Sequence, residues 1–424
     1  MFLIALFALI VLLAIGTPIY LVLIGTATVL LLVEGKSVAG LGQHILDHLN
    51  SPILVSVPFF LLAAVLMRGG GIARILFGAA RTWIGWLPGG LAISGVAATA
   101  IFAAITGSSA ATAMAMGTLL VPMMVERGYD RNFAMGLTAA AGTLGILIPP
   151  SLPMILIGIV AEESIPRLFL GGVVPGLLQA ALFALYIFLV ANRVGGAAEP
   201  LVPARTFLWE NIRASPAFTI PVVVLGGIYG GFVTLTEAAV LGALIALLVV
   251  LFVYRTASFR DVLRLFTEAI DRTSVMILII MGATLVSAWM IKSGLPQDLA
   301  RDIAASDLQP WQFLLIVNIC LLLMGMFLEG VAIILIVLPV VAPVVKSMGI
   351  DMTHFAVIMV VNIELALLSP PIGLNLFVMS NVTGRPVGEV LKGSVPFFFL
   401  MLLLLILVTF VPALSTWLPG VIMG

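Results

Sequence analysis

The sequence predicts an all-α polytopic membrane protein built from two inverted-topology repeats, and three observations support this fold class. Of the 424 residues, 62% are hydrophobic and 9% are charged, whereas soluble domains carry about 25% charged residues. Apolar runs such as 1–33 and 395–418 exceed the roughly 20 residues needed to cross a lipid bilayer. In addition, one pattern of glycine, proline and aspartate occurs twice along the chain.

The repeated pattern has a constant offset of 221 residues. Duplicated halves with hydrophobic segments interrupted at matching positions are typical of secondary transporters, whose binding site lies at the repeat interface. A duplication that is only architectural is the alternative. The recurring positions are Pro122, Gly128, Asp130, Pro149, Pro150, Gly172 and Pro175, which reappear as Pro343, Gly349, Asp351, Pro370, Pro371, Gly393 and Pro396.

Charged residues gather in short islands that we interpret as loops, and the longest polar island, 193–215, divides the chain. We expect this island to be a cytoplasmic linker between the first repeat, 1–192, and a second part, 216–424, made of an extra helix and the second repeat. Each repeat should contain a re-entrant hairpin and a helix broken by a Pro-Pro pair. The predicted hairpins are 88–125 and 311–345, and the predicted broken helices are 132–160 and 354–382.

The distribution of basic residues predicts the orientation. We place the N-terminus in the cytoplasm, treat 1–33 as a retained first helix, and let each hairpin return to the side it entered. Fourteen of the 19 lysines and arginines then fall on the cytoplasmic side, as the positive-inside rule requires. The two repeats acquire opposite topologies in this arrangement. Segment 255–272 interleaves basic and apolar residues, which predicts an interfacial helix with a counterpart at 41–49; each is either a scaffold arm or a simple connector.

The first hairpin carries a hydroxyl-rich break in an alanine-rich background. Thr106, Gly107, Ser108 and Ser109, followed by Thr112, interrupt the segment at its middle. A glycine beside several hydroxyl groups can unwind a helix and turn oxygen atoms toward a cation. Hard cations such as Na⁺ prefer oxygen ligands. The alternative is a small-residue packing seam in which the hydroxyl groups bond to their own helix.

The equivalent break in the second hairpin contains an acid. Glu329, between Gly325 and Gly330, aligns with Ser108 of the first break. A charge at the bilayer centre costs about 2.5–3.5 kcal/mol, so an ionisable residue at this depth predicts a functional role. Two further acids in apolar segments, Glu237 and Glu364, are interpreted as structural or supporting groups, for example at helix starts.

The Pro-Pro pairs predict the remaining ligands. Two prolines remove two backbone donors and exclude the preceding residue from the helical region, so carbonyl groups at 144–148 and 366–369 should lose their helical partners and face the hydroxyl-rich turns. A kink that only tilts a helix is the alternative. The predicted cation ligands at the Pro-Pro helices are Gly142, Gly145, Ala366, Ser369 and Gly373, in addition to Thr106, Ser108, Ser109, Thr112, Gly325, Glu329 and Gly330. The helix starts after the prolines should bind a substrate carboxylate, with Ser108, Pro150, Ser151, Pro371 and Asn375 as contacts.

Several function classes are disfavoured by the sequence. Zero net charge gives no basic surface for nucleic acid, and the three histidines lack zinc-ligand spacing. We expect no cofactor, no metal beyond Na⁺ and no enzymatic activity, because the hydroxyl groups have no histidine or lysine beside them at membrane depth. The single cysteine, Cys320, excludes an intrachain disulfide. Without a nucleotide-binding motif, the energy for transport must come from an ion gradient or another subunit.

These motifs resemble the large membrane (M, DctM-like) subunit of tripartite ATP-independent periplasmic (TRAP) transporters over essentially the whole chain. The most specific pieces are 232–239, 325–329 and 362–375. The resemblance implies the elevator-type architecture of the ion-transporter superfamily, with a transport domain of hairpins and broken helices, a scaffold of the remaining helices, and Na⁺ coupling. It also implies a location in the bacterial inner membrane, a separate small four-helix subunit (Q type) and a periplasmic substrate-binding protein (P type).

The function implied by this resemblance is import of a small organic acid, such as a carboxylate or a sialic-acid-like compound. Two departures from the family pattern are Leu235, where proline is frequent, and Glu329, where aspartate is common. A stand-alone, cation-coupled dicarboxylate or anion transporter is the alternative within transport. An intramembrane enzyme is the alternative from another class.

Overall fold

The computed structural model describes residues 16–33, 52–294 and 308–424, together with positions 11, 12, 35, 42, 43, 45, 46, 50, 298 and 301. Helices are the only regular secondary structure in these described residues. Eight of the described helices are long and apolar enough to cross a membrane, or nine spans if a pair bent by 72° counts as one. The predicted all-α polytopic fold is confirmed.

The helices are numbered α1 to α18 over the described part of the chain. Those before the linker are α1 Ile19–Val33, α2 Pro52–Gly69, α3 Ile72–Ile84, α4 Gly90–Thr106, α5 Ser109–Glu126, α6 Arg131–Ala141, α7 Leu144–Leu147, α8 Leu152–Ala161 and α9 Ile165–Val190. Those after it are α10 Ala204–Tyr229, α11 Leu235–Leu248, α12 Phe259–Ser293, α13 Pro310–Gly325, α14 Gly330–Ser347, α15 Met352–Ala366, α16 Leu374–Thr383, α17 Val387–Phe410 and α18 Ala413–Met423.

The recurring glycine and aspartate form the same turn in both repeats. Gly128 has φ +88° and Gly349 has φ +70°, a left-handed conformation that glycine adopts without strain. Two residues later an aspartate caps the next helix. Asp130 accepts the Phe133 N–H at 2.8 Å, and Asp351 accepts the Thr353 N–H at 2.7 Å. This turn and cap thus start α6 and α15, the first pieces of the two broken helices.

Each predicted hairpin and broken helix contains described helices that end at its break, with one more helical piece in the first repeat than in the second. α4 and α5 occupy the first predicted hairpin, and α13 and α14 occupy the second. The predicted broken helices contain α6 to α8 and α15 to α16, with a Pro-Pro pair at each break. Both Pro-Pro peptide bonds are cis.

Two connecting segments differ from the prediction. α10 begins at Ala204, inside the predicted linker 193–215, directly after Pro203. Segment 255–272 is not a separate interfacial helix, because most of it continues into the membrane segment as the 35-residue α12, about 52 Å long. Neither proline nor glycine interrupts this helix before Gly282. The predicted counterpart at 41–49 lies largely outside the described residues.

The two repeats contact each other at a close crossing of α6 and α17. A Cβ on Gly136 of α6 would lie 2.0 Å from the Gly393 carbonyl carbon of α17. A Cβ on Gly393 would lie 1.7 Å from the Asn132 carbonyl oxygen. Small residues allow such backbone approach between membrane helices. The first broken helix is therefore packed directly against a helix of the second repeat.

Candidate functional site

The first hairpin tip, residues 106–112, is a compact cluster of hydroxyl groups. Gly107 has φ +58° and turns the chain between α4 and α5. The hydroxyl groups of Thr106 and Thr112 lie 2.6 Å apart and share a hydrogen bond. Thr112 also donates to the Ser108 carbonyl oxygen at 2.8 Å. The Thr106, Ser109 and Thr112 side chains are buried, so the cluster lies inside the protein.

The short helix α7 packs against this tip through two glycines. A Cβ on Gly145 would lie 2.8 Å from both the Ser108 carbonyl oxygen and the Thr112 hydroxyl oxygen. A Cβ on Gly142 would lie 2.6 Å from the Ala113 Cβ. Contacts this short exclude a side chain at both positions. The structure therefore brings the predicted residues of α7 into contact with those of the first tip.

The chain after the first Pro-Pro pair also reaches the tip. The Leu152 N–H donates to the Gly107 carbonyl oxygen at 3.5 Å. Ser151 caps α8 by accepting the Met154 N–H at 3.4 Å, and its hydroxyl group donates to the Ile146 carbonyl oxygen. The Ser151 side chain is fully buried, and its hydroxyl group is used in these two bonds. It therefore stabilises the turn after the first Pro-Pro pair in this conformation.

The second hairpin tip, residues 325–330, repeats this geometry with fewer hydrogen bonds. The Ile372 N–H, after the second Pro-Pro pair, donates to the Met326 carbonyl oxygen at 3.4 Å. A Cβ on Gly325 would lie 2.3 Å from the Ala366 Cβ, and one on Gly330 would lie 2.4 Å from Ile363 Cγ2. Glu329 occupies the cap position of α14 without a capping hydrogen bond from its side chain. Its carboxylate therefore does not serve the helix start.

Asn375 connects the two repeats at the site. Its amide nitrogen donates to the Ser109 hydroxyl oxygen at 2.7 Å and to the Ala139 carbonyl oxygen at 2.9 Å. The Asn375 amide oxygen is buried and has no hydrogen-bond partner among the described residues. A buried polar atom without a partner is costly unless a ligand satisfies it. An amide oxygen of this kind is a suitable cation ligand.

The carbonyl groups at the breaks differ from the expectation, because several of them do have hydrogen-bond donors. The Leu144 carbonyl oxygen accepts the Ile148 N–H at 3.0 Å, and the Ala366 carbonyl oxygen accepts the Ser369 N–H at 3.0 Å. The Leu367 carbonyl oxygen accepts the Asn375 N–H at 3.1 Å. The Ile148 and Ser369 donors precede the Pro-Pro pairs, and Ile148 is the ordinary helical partner of Leu144. The Asn375 N–H lies beyond the second break, where the chain folds back. Each carbonyl oxygen keeps a second lone pair, so cation coordination does not require an orphan group.

Two cavities meet at Glu329. The first, about 390 Å³, is lined by Thr106, Ser108 and Leu152 on one side and by α2 and α12 on the other. The second, about 540 Å³, is lined by Gly325, Gly330, Ala366 and Gly373 together with the chain before α1. The Glu329 side chain is exposed because it borders both cavities. Of the predicted substrate contacts, Ser108 lines the first cavity.

The two supporting acids have different surroundings. Glu237 is exposed and accepts the Thr234 N–H at 2.8 Å in a capping box at the start of α11. Glu364 is fully buried, and neither of its carboxylate oxygens has a hydrogen-bond partner of ordinary geometry among the described residues. Gln179 is its neighbouring polar side chain. Glu237 is thus a helix cap, whereas Glu364 is a buried acid behind the site.

Sequence reasoning missed a polar layer around the site. Gln179 donates to the Thr143 hydroxyl oxygen at 2.9 Å, beside α7. Asn362 donates to the Asn318 amide oxygen at 2.8 Å, and Asn318 donates to the Thr409 hydroxyl oxygen at 2.9 Å. Each of these residues is a polar interruption of an apolar segment. That interruption was the available signal, but the pairing partners are distant in sequence.

Sequence reasoning also missed charges on the wall of the first cavity. Arg68 of α2 and Arg272 of α12 line this cavity. Both pair with Glu268, with a distance of 2.8 Å from Arg272 Nη2 to the Glu268 carboxylate. The cavity therefore has the first tip and Glu329 on one side and the charged side chains of Arg68, Asp271 and Arg272 on the other.

Comparison with known proteins identifies the family. A family model described as the DctM component of the tripartite ATP-independent periplasmic transporters matches residues 6–414. The chain belongs to this family. This permease is 41% identical to the C4-dicarboxylate TRAP transporter large permease protein DctM of Pseudomonas aeruginosa, with 92% of each chain covered. The resemblance found in the motifs is confirmed.

Other relatives of this TRAP large permease are named for different substrates. It is 37% identical to the isethionate TRAP transporter permease protein DctMQ of Oleidesulfovibrio alaskensis, covering 96% of this chain and 65% of that one. It is 32% identical to the sialic acid TRAP transporter large permease protein SiaM of Vibrio cholerae, covering 93% and 92%. The solved Alcanivorax borkumensis YdaH transporter has a TM-score of 0.58 at 14% identity, covering 86% and 88%, which is a similarity of fold.

Proposed function

We propose that this permease imports a small organic acid by Na⁺ symport with an elevator mechanism. The observation that carries the proposal is the paired geometry of the site. In each repeat a hairpin tip contacts the chain after a Pro-Pro break, and Glu329 lies between the two resulting cavities. Broken helices that meet at a repeat interface are the usual construction of a coupled transport site.

Two cation sites fit the two tips. The first tip offers hydroxyl and carbonyl oxygens without charge, and the second offers a carboxylate beside three glycines, Gly325, Gly330 and Gly373, that line the second cavity. Hard monovalent cations are bound by such oxygen sets. We assign the first site to Thr106, Ser108, Ser109, Thr112, Gly142 and Gly145, and the second to Gly325, Glu329, Gly330, Ala366, Ser369 and Gly373, with Asn375 between them.

The substrate is proposed to occupy the first cavity. Ser108 lines it at the start of α5, and Leu152 lines it at the start of α8. The positive end of a helix dipole favours a carboxylate. At α8 the Leu152 and Met154 N–H groups are already bonded within the protein, so the start of α5 is the proposed source of N–H donors. The DctM relative with 41% identity is named for C4-dicarboxylates, so a C4-dicarboxylate is the first compound to test. Isethionate and sialic acid, from the names of the other relatives, are the next.

We further propose that the tips and broken helices move as one transport domain against a scaffold containing α2 and α12. The chain would lie in the inner membrane with its N-terminus in the cytoplasm. A small Q-type membrane subunit would hold the scaffold, and a P-type periplasmic protein would deliver the substrate. The DctMQ relative supports a permease that works with a Q component. We propose no catalytic role, because the relatives are permeases.

Reconstitution tests this proposal. The permease, its small subunit and its binding protein are placed in proteoliposomes, and uptake of labelled succinate, isethionate and N-acetylneuraminate is measured with an inward Na⁺ gradient. We expect uptake of one compound, and we expect it to stop when K⁺ or choline replaces Na⁺ at constant pH. Unchanged uptake without Na⁺ would contradict the coupling. Uptake at the full rate by the permease alone would favour the stand-alone anion transporter.

A further inference from the structure

A groove runs from the first cavity along the hairpin helix α5. Three cavities are connected one after another by shared lining residues. Arg68 lines both the first cavity and a cavity of about 450 Å³, and Arg74 lines both the 450 Å³ cavity and a third cavity of about 510 Å³. Thr118 of α5 is likewise shared by the last two. We call this connected space the arginine groove.

The two walls of the arginine groove have different chemistry. One wall is the end of α2 and one face of α3, with Arg68, Arg74 and Arg81 at intervals of six and seven residues. The other wall is a stripe of α5 that starts at Ala111 and ends at Glu126. This stripe follows the three-to-four residue spacing of one helix face. An anion leaving Ser108 would therefore pass between an arginine wall and a wall of small and apolar side chains.

The middle of the groove has excess positive charge. Its lining residues include Arg68 and Arg74 and, among the described residues, no acid. Arg68 is paired with Glu268, whereas Arg74 is exposed and forms no ion pair with a described residue. Toward the far end, Arg81 is bound by Glu199. Clefts with one sign of charge between low-dielectric walls concentrate ions of the opposite sign.

The acids on the far end complete the charge pattern. Glu126 and Glu210 line the third cavity together with Arg81 and Arg213. Arg74 also lines the third cavity, but the two glutamates there, and Glu199 on Arg81, offset most of its positive charge. Acids are absent from the described lining only beside Arg68 and Arg74, between the first cavity and the predicted cytoplasmic surface. An electrostatic potential that becomes less positive along the groove would hold an anion after it leaves the site and release it where the acids begin.

We propose that the arginine groove is the cytoplasmic release path of the anionic substrate and that Arg74 is the residue that attracts the anion along it. This inference rests on the proposed function, which supplies the anionic substrate and the inward direction of transport. The headgroup of an anionic lipid offers related chemistry, so the experiment must separate the two.

The test measures the electrostatic potential in the groove without relying on transport. The single cysteine, Cys320, is replaced by serine, and Thr118→Cys introduces one thiol opposite Arg74. The rates of its modification by an anionic and a cationic methanethiosulfonate reagent are compared in inverted vesicles of phosphatidylcholine. We expect Arg74→Gln to lower the anionic-to-cationic rate ratio by roughly threefold to fivefold at low salt, and added salt to reduce this difference.

Two variants serve as controls. Arg74→Lys keeps the charge and should keep the ratio. Arg205→Gln removes an exposed cytoplasmic arginine that lines none of the three cavities and should leave the ratio unchanged. Monodisperse elution of every variant verifies folding. An unchanged ratio in Arg74→Gln, or an equal fall in Arg205→Gln, would overturn the inference.

Two further measurements complete the test: the uptake rate of the full assembly, and the modification ratio in vesicles of different lipid composition. In the full assembly, Arg74→Gln should lower the maximal rate of labelled succinate uptake by about threefold or more, since release becomes slower. If the ratio depends on Arg74 only in vesicles containing phosphatidylglycerol, the arginine acts on lipid and the release path is wrong. Failure of succinate uptake in the unmodified assembly would contradict the proposed substrate, whereas normal uptake with an unchanged ratio would contradict the groove alone.

Discussion

The two hairpin tips occupy equivalent positions in the two repeats but differ in charge. The first tip is neutral, and its Thr106 and Thr112 hydroxyl groups are already hydrogen-bonded to each other. The second tip has one carboxylate, Glu329, whose side chain makes no capping bond, and an exposed Phe327. A tip with internal bonds is preorganised. At the proposed cation sites, we expect a tip with one free charge to gain more order from a bound cation than a preorganised tip, so the second site should respond more strongly to occupancy than the first.

The largest expected effect is at the second tip, where Glu329→Gln removes the charge and keeps the size. The proposed second cation site then loses its one charged ligand, and an interaction with a charged group is worth about 1.5–3 kcal/mol, which predicts at least a 10-fold loss of Na⁺ affinity. Sodium-dependent uptake and isothermal titration with Na⁺ measure it. Glu237→Gln, at the helix cap of α11, is the matched control and should retain Na⁺ dependence. Normal Na⁺ affinity in Glu329→Gln would make the two tips equivalent after all.

A second prediction tests packing at both tips. Gly145→Ala places a methyl group against the Ser108 carbonyl oxygen, and Gly325→Ala places one against the Ala366 side chain. Overpacking of this kind costs about 1–3 kcal/mol, so both variants should unfold at lower temperature in detergent. Gly388→Ala, where a Cβ meets open space, should not. We expect Gly145→Ala also to weaken Na⁺ binding, because its methyl group displaces the preorganised Ser108 carbonyl oxygen. If Gly325→Ala leaves Na⁺ binding unchanged, the difference between the two tips is clearer.

Asn375 is the connection between the tips, and its removal should affect both. Asn375→Ala breaks the bond to the Ser109 hydroxyl group, and a lost buried hydrogen bond costs about 1–3 kcal/mol. We expect Na⁺ titrations to show weaker binding at both sites. Asn211→Ala, which removes an amide from the distant bond to Trp83, is the control. Weakening of one site alone would show that the tips act independently.

The smallest expected effect is at the first tip. Thr112→Val keeps the shape and removes one of several hydroxyl groups, which costs about 1 kcal/mol, or roughly fivefold in Na⁺ affinity. Thr99→Val, which removes a hydroxyl group bonded within α4, should leave Na⁺ affinity unchanged. A loss as large as that of Glu329→Gln would mean that the first tip carries the coupling instead.

The sequence made the breaks visible because prolines and polar residues stand out in an apolar background. Glu329, the hydroxyl cluster and the Pro-Pro turns could all be found in this way. Contacts between distant segments could not, since nothing local indicates that Asn375 meets Ser109 or that Arg68 meets Glu268. The start of α10 and the continuity of α12 were missed for a different reason. The charged residues at 204–213 were interpreted as part of a loop, although arginine and glutamate are good helix formers. Segment 255–272 was interpreted as a separate interfacial helix, because its interleaved basic and apolar residues do not indicate where a helix ends.

The expectation of orphan carbonyl groups failed in an instructive way. Proline chemistry correctly indicates which donors are lost, but it does not indicate what replaces them. The Leu367 carbonyl oxygen, for instance, is satisfied by the Asn375 N–H, which lies beyond the break. Replacement donors depend on how the chain returns, and that path is set by tertiary packing.

The linker between the repeats has a consequence for how the chain can be divided. The Gly89 N–H donates to the Gly196 carbonyl oxygen at 2.8 Å, and the Asp130 N–H donates to the Val194 carbonyl oxygen at 3.0 Å. Glu199 binds both Arg81 and Arg127. Residues 194–199 are thus fastened to the first repeat, and the second part begins only at α10. Two separate polypeptides that divide at 200–203 would each keep their own contacts, so a bipartite permease assembled from two reading frames is compatible with this architecture.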